Sequence, residues 1–303
     1  MIKQIAVLGA GTMGLGIALL FARHGYSVSL YEPDHHNHET IQQQIRSQIC
    51  STSGSNSLNL KLSCDLEKAV SNAEFIIEAA PEQLETKQEL YSQLAQWIKD
   101  DAIVASNTST YSLDTLAQSQ PFASRMIIAH FFNPPQIIPL VELVGLPVTQ
   151  QVILQQIADL LAECGKAPII LHKDIPGFIA NRLQAALMRE ACYLLECGIA
   201  DAEQIDRAVT EGIGLRWALA GPFEIADLGG LDIWSKVTGH LFPQLSNDTA
   251  VPAAIEQKVA QGELGAKTGQ GYYSYPDPAG AARTMNSRLQ QVQALKNNSP
   301  TKE

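Results

Sequence analysis

Short apolar runs alternate with stretches of helical spacing along the first part of the chain, and then the alternation stops. The runs are Ile5–Leu8, Val28–Tyr31, Phe75–Glu78, Ile103–Ala105, Met126–Ala129, Leu140–Leu143 and Ile169–Leu171. Strands that are apolar throughout, not at alternate positions, are buried on both faces, and strands separated by helical patterns imply parallel βαβ units. The pattern predicts an α/β domain over residues 1–175 with a doubly wound sheet. Asp174-Ile-Pro176-Gly177 breaks it, and Phe178–Cys197 has helical spacing with no strand signal after it. A smaller all-α domain over residues 176–280 is expected there, with further helices near Asp201–Glu211, Pro222–Asp227, Leu231–Gly239 and Val251–Gln261. From about Asp277 the chain turns small, polar and charged, so residues 281–303 read as a fraying tail.

The first strand passes directly into Gly9-Ala-Gly11-Thr-Met-Gly14 and a helix-forming stretch, and the second strand ends in Glu32, twenty-one residues after Gly11. Strand, glycine turn, helix, strand and acid in this order are the dinucleotide-binding fingerprint of a Rossmann-type sheet. Gly9 suits the tight turn, Gly11 lets backbone approach a pyrophosphate, and Gly14 allows helix to pack on strand. The helix N-terminus supplies free N–H groups and partial positive charge for the phosphates. A carboxylate at Glu32 accepts hydrogen bonds from the adenosine ribose hydroxyls and repels a 2′-phosphate, which favours NAD over NADP. The plainer alternative is that Glu32 only closes its strand in solvent.

Composition removes several other classes. A chain of 303 residues with 46% hydrophobic content is long enough for two domains and a full core. Its formal net charge of −10 argues against a nucleic-acid partner. No apolar run approaches the roughly 20 residues that span a bilayer, and the N-terminus reads as strand and glycine turn, so no membrane partner and a cytoplasmic location are expected. Cys50, Cys64, Cys164, Cys192 and Cys197 are scattered without metal-ligand spacing and read as reduced thiols. His35, His36 and His38 form a cluster without cysteine or carboxylate ligands at fixed spacing, so no metal is expected and a solvated loop is the reading.

Ligands in open α/β folds sit in the crevice at the carboxyl ends of the strands. Three polar clusters close successive strands there: Glu78-Ala-Ala-Pro81-Glu82, Ser106-Asn107-Thr108-Ser109 and His130-Phe-Phe-Asn133. Glu142 follows His130 by twelve residues. A histidine with a carboxylate partner and nearby hydroxyl and amide donors is equipped to move a proton at an alcohol or carbonyl carbon. Taken alone, His130 reads first as a core histidine satisfied by a neighbour, and the glycine fingerprint upstream is what turns the reading toward proton transfer.

The glycine fingerprint, Glu78-Ala-Ala-Pro-Glu82, Ser106-Asn-Thr-Ser109, His130-Phe-Phe-Asn-Pro134, Leu140-Val-Glu142, Asp174-Ile-Pro-Gly-Phe-Ile-Ala-Asn-Arg182, Gly221-Pro-Phe-Glu224 and Lys267-Thr-Gly-Gln-Gly-Tyr-Tyr273 occur in order and together resemble the L-3-hydroxyacyl-CoA dehydrogenase family. The resemblance implies an NAD-dependent enzyme that oxidises an L-3-hydroxy group to a 3-keto group. It implies His130 as the catalytic acid/base, Glu142 as its partner, and Ser109 and Asn181 as donors to the substrate oxygen. It further implies Glu82, Lys87, Asn107 and Asn133 along the nicotinamide and its ribose, and a homodimer through the second domain. A solvated helix residue is the alternative for Lys87.

Two departures bear on the substrate. Acyl-CoA members carry a long, lysine-bearing helical pair after the Glu32 strand, whereas Gln42 to Lys61 here hold only Arg46 and Lys61 as basic groups and include the loop-like Ser51–Ser57. A CoA phosphate finds little positive charge in that segment. The Gly214-Leu-Arg-Trp-Ala-Leu-Ala-Gly221 stretch is longer than in acyl-CoA members and is similar to relatives that act on free hydroxy acids, of gulonate, carnitine or pyridine-carboxylate type. Arg216 then becomes a candidate clamp for a substrate carboxylate, or else an arginine paired with Glu211. Gly221-Pro-Phe-Glu-Ile-Ala-Asp-Leu-Gly-Gly-Leu-Asp232 keeps the acyl-CoA look, so a CoA thioester such as 3-hydroxybutyryl-CoA and a free hydroxy acid both remain open.

Overall fold

The computed structural model describes residues 2–50 and 58–297 and divides into two compact units, one ending at Ile179 and the other beginning at Ala180. Ser51–Ser57 and the Cys50 side chain, both singled out in the sequence, lie outside the described residues.

Among the described residues the first unit holds eight strands: β1 (Gln4–Leu8), β2 (Ser27–Tyr31), β3 (Leu60–Ser63), β4 (Phe75–Glu78), β5 (Ile103–Ser106), β6 (Met126–Phe131), β7 (Leu140–Gly145) and β8 (Ala167–Ile170). They form one sheet in the order β3-β2-β1-β4-β5-β6-β7-β8. Side chains alternate between two cores, as the unbroken apolar runs require. Ile5 and Val7 join one core, with helices α1 (Thr12–Arg23) and α6 (Gln151–Glu163). Ala6 and Leu8 join the other, with α3 (Leu66–Val70), α4 (Leu84–Leu94) and α5 (Leu113–Ala117). From β1 the chain winds outward through β2 and β3, then returns to place β4 on the other flank of β1. The direction of winding reverses between β1 and β4, which opens a crevice at their carboxyl ends.

The all-parallel expectation fails at one pair. β6 and β7 run antiparallel, with His130 directly opposite Glu142. Only residues 132–139 connect them, and a parallel crossover needs about a dozen residues or more. β3 is an addition: as an edge strand, with no fully buried residue, it has a weak apolar signal. The histidine cluster is more ordered than a loop. His35–Asn37 form a 3-10 turn capped by the Asp34 carboxylate and lead into α2 (His38–Cys50), while the His38 ring Nε2 lies 2.9 Å from the Glu32 carbonyl.

The described residues of the second unit form helices α7 (Ala180–Glu196), α8 (Ala202–Ala208), α9 (Gly214–Trp217), α10 (Pro222–Gly229), α11 (Leu231–Leu241), α12 (Ala253–Ala260) and α13 (Pro278–Asn297), with isolated β-bridges only around Gln270. A π-helical turn, Val209–Ile213, joins α8 to α9. Pro222 opens α10 at a position where its missing N–H costs nothing, and Gly230, at φ +90°, turns the chain into α11. The tail expectation is corrected over α13. Asp277 accepts the Gly280 N–H at 2.9 Å, and the alanine, arginine, glutamine and leucine residues that follow are good helix formers.

Candidate active site

The crevice between β1 and β4 has the form of a dinucleotide cradle. Gly9 sits at φ +102°, and a Cβ there would lie 2.6 Å from the Ala79 carbonyl oxygen. A Cβ on Gly14 would lie 1.8 Å from the Gly9 oxygen, so the helix can approach the turn only as glycine. A Cβ on Gly11, by contrast, would meet open space. That residue faces the cleft, not the protein, which is what a close backbone approach to phosphate requires. The cleft measures about 600 Å³ and is lined by Gly9, Gly11, Thr12, Tyr31, Glu32 and Pro81 among others. The Glu32 carboxylate lies over the glycine turn, accepting the Ala10 N–H at 3.4 Å and the Asp34 N–H at 3.3 Å. These residues fit a bound NAD: open glycine backbone, the N-terminus of a 12-residue helix and an acid at the ribose end.

Beside it, the sheet register brings His130 and Glu142 together. Antiparallel pairing sets the His130 Nδ1 2.9 Å from Glu142 Oε2. His130 is 5% exposed and Glu142 fully buried. The other oxygen, Oε1, accepts the backbone N–H of Ile179 at 2.9 Å. With a carboxylate that only accepts as its partner, the tautomer that satisfies this contact carries its proton on Nδ1 and leaves Nε2 to present a lone pair. Phe132 and Phe178 flank the imidazole, with ring centroids at 4.5 and 5.2 Å. Phe178 adopts φ +48° within the Asp174-Ile-Pro-Gly-Phe turn, which is anchored where Asp174 Oδ2 accepts the Leu113 N–H at 2.7 Å.

The Ser106–Ser109 loop is held from below by a carboxylate that sequence reasoning did not single out by itself. Glu78 ends an otherwise apolar strand, is fully buried, and accepts Lys87 Nζ (2.7 Å), the Ala80 N–H (2.7 Å), the Tyr91 hydroxyl (2.6 Å) and the Ser106 hydroxyl (2.6 Å). The signal was available: an acid closing a buried strand, with a lysine and a tyrosine nine and thirteen residues later. Lys87 is 1% exposed, which removes the solvated-helix alternative, and its ammonium bridges Glu78 to Glu82, 3.1 Å away. One oxygen of Glu82 accepts the hydroxyls of Thr108 (2.5 Å) and Thr110 (2.6 Å) and the N–H groups of Ser109 (3.0 Å) and Thr110 (3.1 Å). Burial pushes its carboxyl up, but the two threonine hydroxyls and the lysine outweigh that and hold it at about 2. Asn107 Oδ1 accepts the Phe131 N–H at 2.9 Å, tying the end of β5 to the end of β6.

The first unit therefore gathers Gly9, Gly11, Gly14, Glu32, Glu82, Lys87, Asn107, Ser109, His130, Asn133 and Glu142 along the carboxyl edge of one sheet. Asn181, half-buried near the start of α7, and Arg216, exposed on α9, belong to the second unit. Among the described residues Arg216 forms no ion pair, so the pairing with Glu211 is absent there.

Comparison with known proteins agrees with this geometry. Residues 4–175 match the family model described as 3-hydroxyacyl-CoA dehydrogenase, NAD binding domain, and residues 177–275 match 3-hydroxyacyl-CoA dehydrogenase, C-terminal domain. The chain is 33% identical over 296 residues to 5-formyl-3-hydroxy-2-methylpyridine 4-carboxylate 5-dehydrogenase of Mesorhizobium japonicum, covering 95% of this chain and 96% of that one. A solved structure of a dehydrogenase of that name, described as an NAD+ dependent dismutase, is 32% identical with a TM-score of 0.91, covering 99% of this chain and 100% of the other. The 3-hydroxybutyryl-CoA dehydrogenase structure from Escherichia coli K12 is 31% identical with a TM-score of 0.74, covering 91% of this chain and 60% of that one. With both family domains matched in order on a glycine cradle and a buried His–Glu pair, the chain belongs to the 3-hydroxyacyl-CoA dehydrogenase family and is an NAD-dependent oxidoreductase.

Proposed function

We propose that this dehydrogenase acts on a small hydroxy compound that carries a free carboxylate, not on a CoA thioester. The observation that carries this reading is the helix after the Glu32 strand. α2 runs from His38 to Cys50 and presents a single Lys or Arg, the exposed Arg46, where CoA phosphates would need clustered cations. The likeness to the pyridine-carboxylate dehydrogenase over the full length of both chains supports the same conclusion. Arg216 is the proposed carboxylate clamp, since its guanidinium is exposed and its planar fork suits bidentate binding.

In this reading the Gly9–Gly14 cradle and Glu32 would hold NAD, which would supply the hydride acceptor for the hydroxyl-bearing carbon. The Nε2 of His130 takes the hydroxyl proton, and Glu142 holds the ring tautomer and stabilises the imidazolium that forms. Ser109 and Asn181 are the proposed donors to the substrate oxygen, and loss of one such donor typically costs about 10²–10³ in rate. Glu82 and Lys87 act at the nicotinamide end chiefly by fixing the loop that carries Ser109. A homodimer is proposed on the second unit's apolar surface: Phe223 and Leu228 on α10 are 86% and 81% exposed, and Leu295 on α13 is 70% exposed.

The test compares L-3-hydroxybutyryl-CoA with free gulonate, carnitine and pyridine carboxylates by NADH absorbance. A higher kcat/KM for a free carboxylate is expected, with Arg216→Ala raising its KM about tenfold or more and leaving thioester kinetics unchanged. Preference for the thioester would overturn the substrate reading, and equal effects of Arg216→Ala on both classes would remove the clamp.

A further inference from the structure

One buried cation lies outside every role described so far. Lys166, between α6 and β8, is 8% exposed, and its ammonium reaches inward to the backbone carbonyls of Pro135 and Ile138, the latter at 2.9 Å. Among the described residues no carboxylate pairs with it. A buried ammonium without a counter-ion is costly, and among the described residues the two carbonyls are its hydrogen-bond partners.

Those two carbonyls belong to the turn of residues 132–139, which joins the His130 strand to the Glu142 strand and contains Asn133. The turn closes on itself where Ile137 and Ile138 both donate to the Pro134 oxygen at 3.0 Å. Its far side leans on the cofactor helix, since a Cβ on Gly16 would lie 2.5 Å from Pro135 Cγ and 2.8 Å from Gln136 Nε2. The His130–Glu142 pair does not depend on this turn in the same way. It has two further supports, the β6–β7 ladder and the Ile179 N–H.

We propose that Lys166 is a positioning residue for cofactor binding, its buried ammonium setting from inside the turn that carries Asn133 and packs against the cofactor helix. The inference rests on the NAD-dependent reading and extends it to a residue that touches neither cofactor nor substrate. Charge on Lys166 is what the turn needs, because an ammonium donates to two carbonyls far more strongly than a neutral amine. Burial lowers the group from its ordinary 10.5 to about 8. Cys164 is the titratable side chain that faces it, and burial pushes that thiol up to about 12, so it stays neutral over the relevant range. The turn should therefore slacken as pH rises through about 8.

The experiment is an NADH fluorescence titration of the full chain, without substrate, from about pH 7 to about 9.5, above the ordinary histidine range. All versions carry Cys64→Ser, because that thiol lies beside Tyr31 on the cleft. The parent is expected to bind NADH progressively more weakly as pH climbs past about 8. Lys166→Met should bind about tenfold more weakly at pH 7, with no further change on raising pH, an amount comparable to one charge-assisted hydrogen bond. Lys166→Arg should restore tight, pH-independent binding. A parent whose affinity is flat across the range overturns the proposal even if neither variant folds, and so does a folded Lys166→Met with parental affinity. Failure of the parent to bind NADH at any pH would instead sink the NAD-dependent reading itself.

Discussion

Replacing Glu142 with glutamine tests the proton-handling pair most sharply, because both carboxylate oxygens already have donors. Oε2 accepts from the His130 Nδ1 and Oε1 from the Ile179 N–H, each at 2.9 Å. Glutamine has one acceptor and one donor for these two places. If its oxygen faces His130, its NH₂ confronts the Ile179 N–H, and a buried donor left without an acceptor costs about 1–3 kcal/mol. If its NH₂ faces His130, Nδ1 must become the acceptor, the proton moves to Nε2, and the ring can no longer take a proton from substrate. Avoiding the first arrangement therefore favours the wrong tautomer by roughly 5- to 150-fold. Loss of the buried negative charge beside the forming imidazolium removes about a further 1–2 kcal/mol, the margin between charged and neutral hydrogen bonds. Together these predict a fall in kcat of about 10²–10³ with NADH affinity unchanged. The assay is steady-state NADH formation, with NADH binding titrated in parallel. Glu142→Ala is the informative comparator, because alanine leaves both tautomers available. Glu142→Gln should be no better than Glu142→Ala, although it is closer in shape. A glutamine variant within threefold of the parent, or clearly better than the alanine one, would refute the tautomer argument.

Two further outcomes follow from the site's geometry. Gly14→Ala places a methyl group 1.8 Å from the Gly9 oxygen, so α1 must withdraw from the turn. Thermal unfolding should show a loss of about 1–3 kcal/mol with NADH affinity reduced at least tenfold, and parental affinity would refute the cradle. The Glu82 carboxyl lies at about 2 in the fold against an ordinary 4.5, so its stabilisation is complete above about pH 4.5 and lost as pH falls toward about 2. Because its side chain is 36% exposed, that stabilisation is reduced by solvent screening to about 1–2 kcal/mol. Glu82→Gln should lower Tm at neutral pH, with the gap to the parent narrowing in acid; a gap that stays constant would contradict the assignment.

The cradle was almost fully legible in the chain. Gly9, Gly11, Gly14 and Glu32 are local features, fixed by one turn and the strand beside it, and local sequence dictates such geometry directly. His130 and Glu142 were legible as a pair only through the family resemblance. Their contact arises because eight intervening residues force a hairpin in place of a crossover, which the expectation of uniformly parallel strands missed. Lys87 was ambiguous for a similar reason: its helical position says nothing of burial, and only the packing of α4 against the sheet places its ammonium between Glu78 and Glu82. The helix Pro278–Asn297 went unread because its few apolar residues form no clear periodic stripe, although its alanine, arginine, glutamine and leucine residues favour helix and Asp277 caps it.

By itself the sequence determined the class of fold and the cofactor, because glycine spacing, strand-end acids and apolar runs act over a few neighbouring residues. Tertiary structure alone decided which charges are buried and what they hold. The Glu78–Lys87–Glu82 chain beneath the Ser109 loop and the unpaired ammonium of Lys166 inside the 132–139 turn join residues far apart in sequence. Desolvation, which gives each of them its energetic weight, exists only once the strands have closed around them.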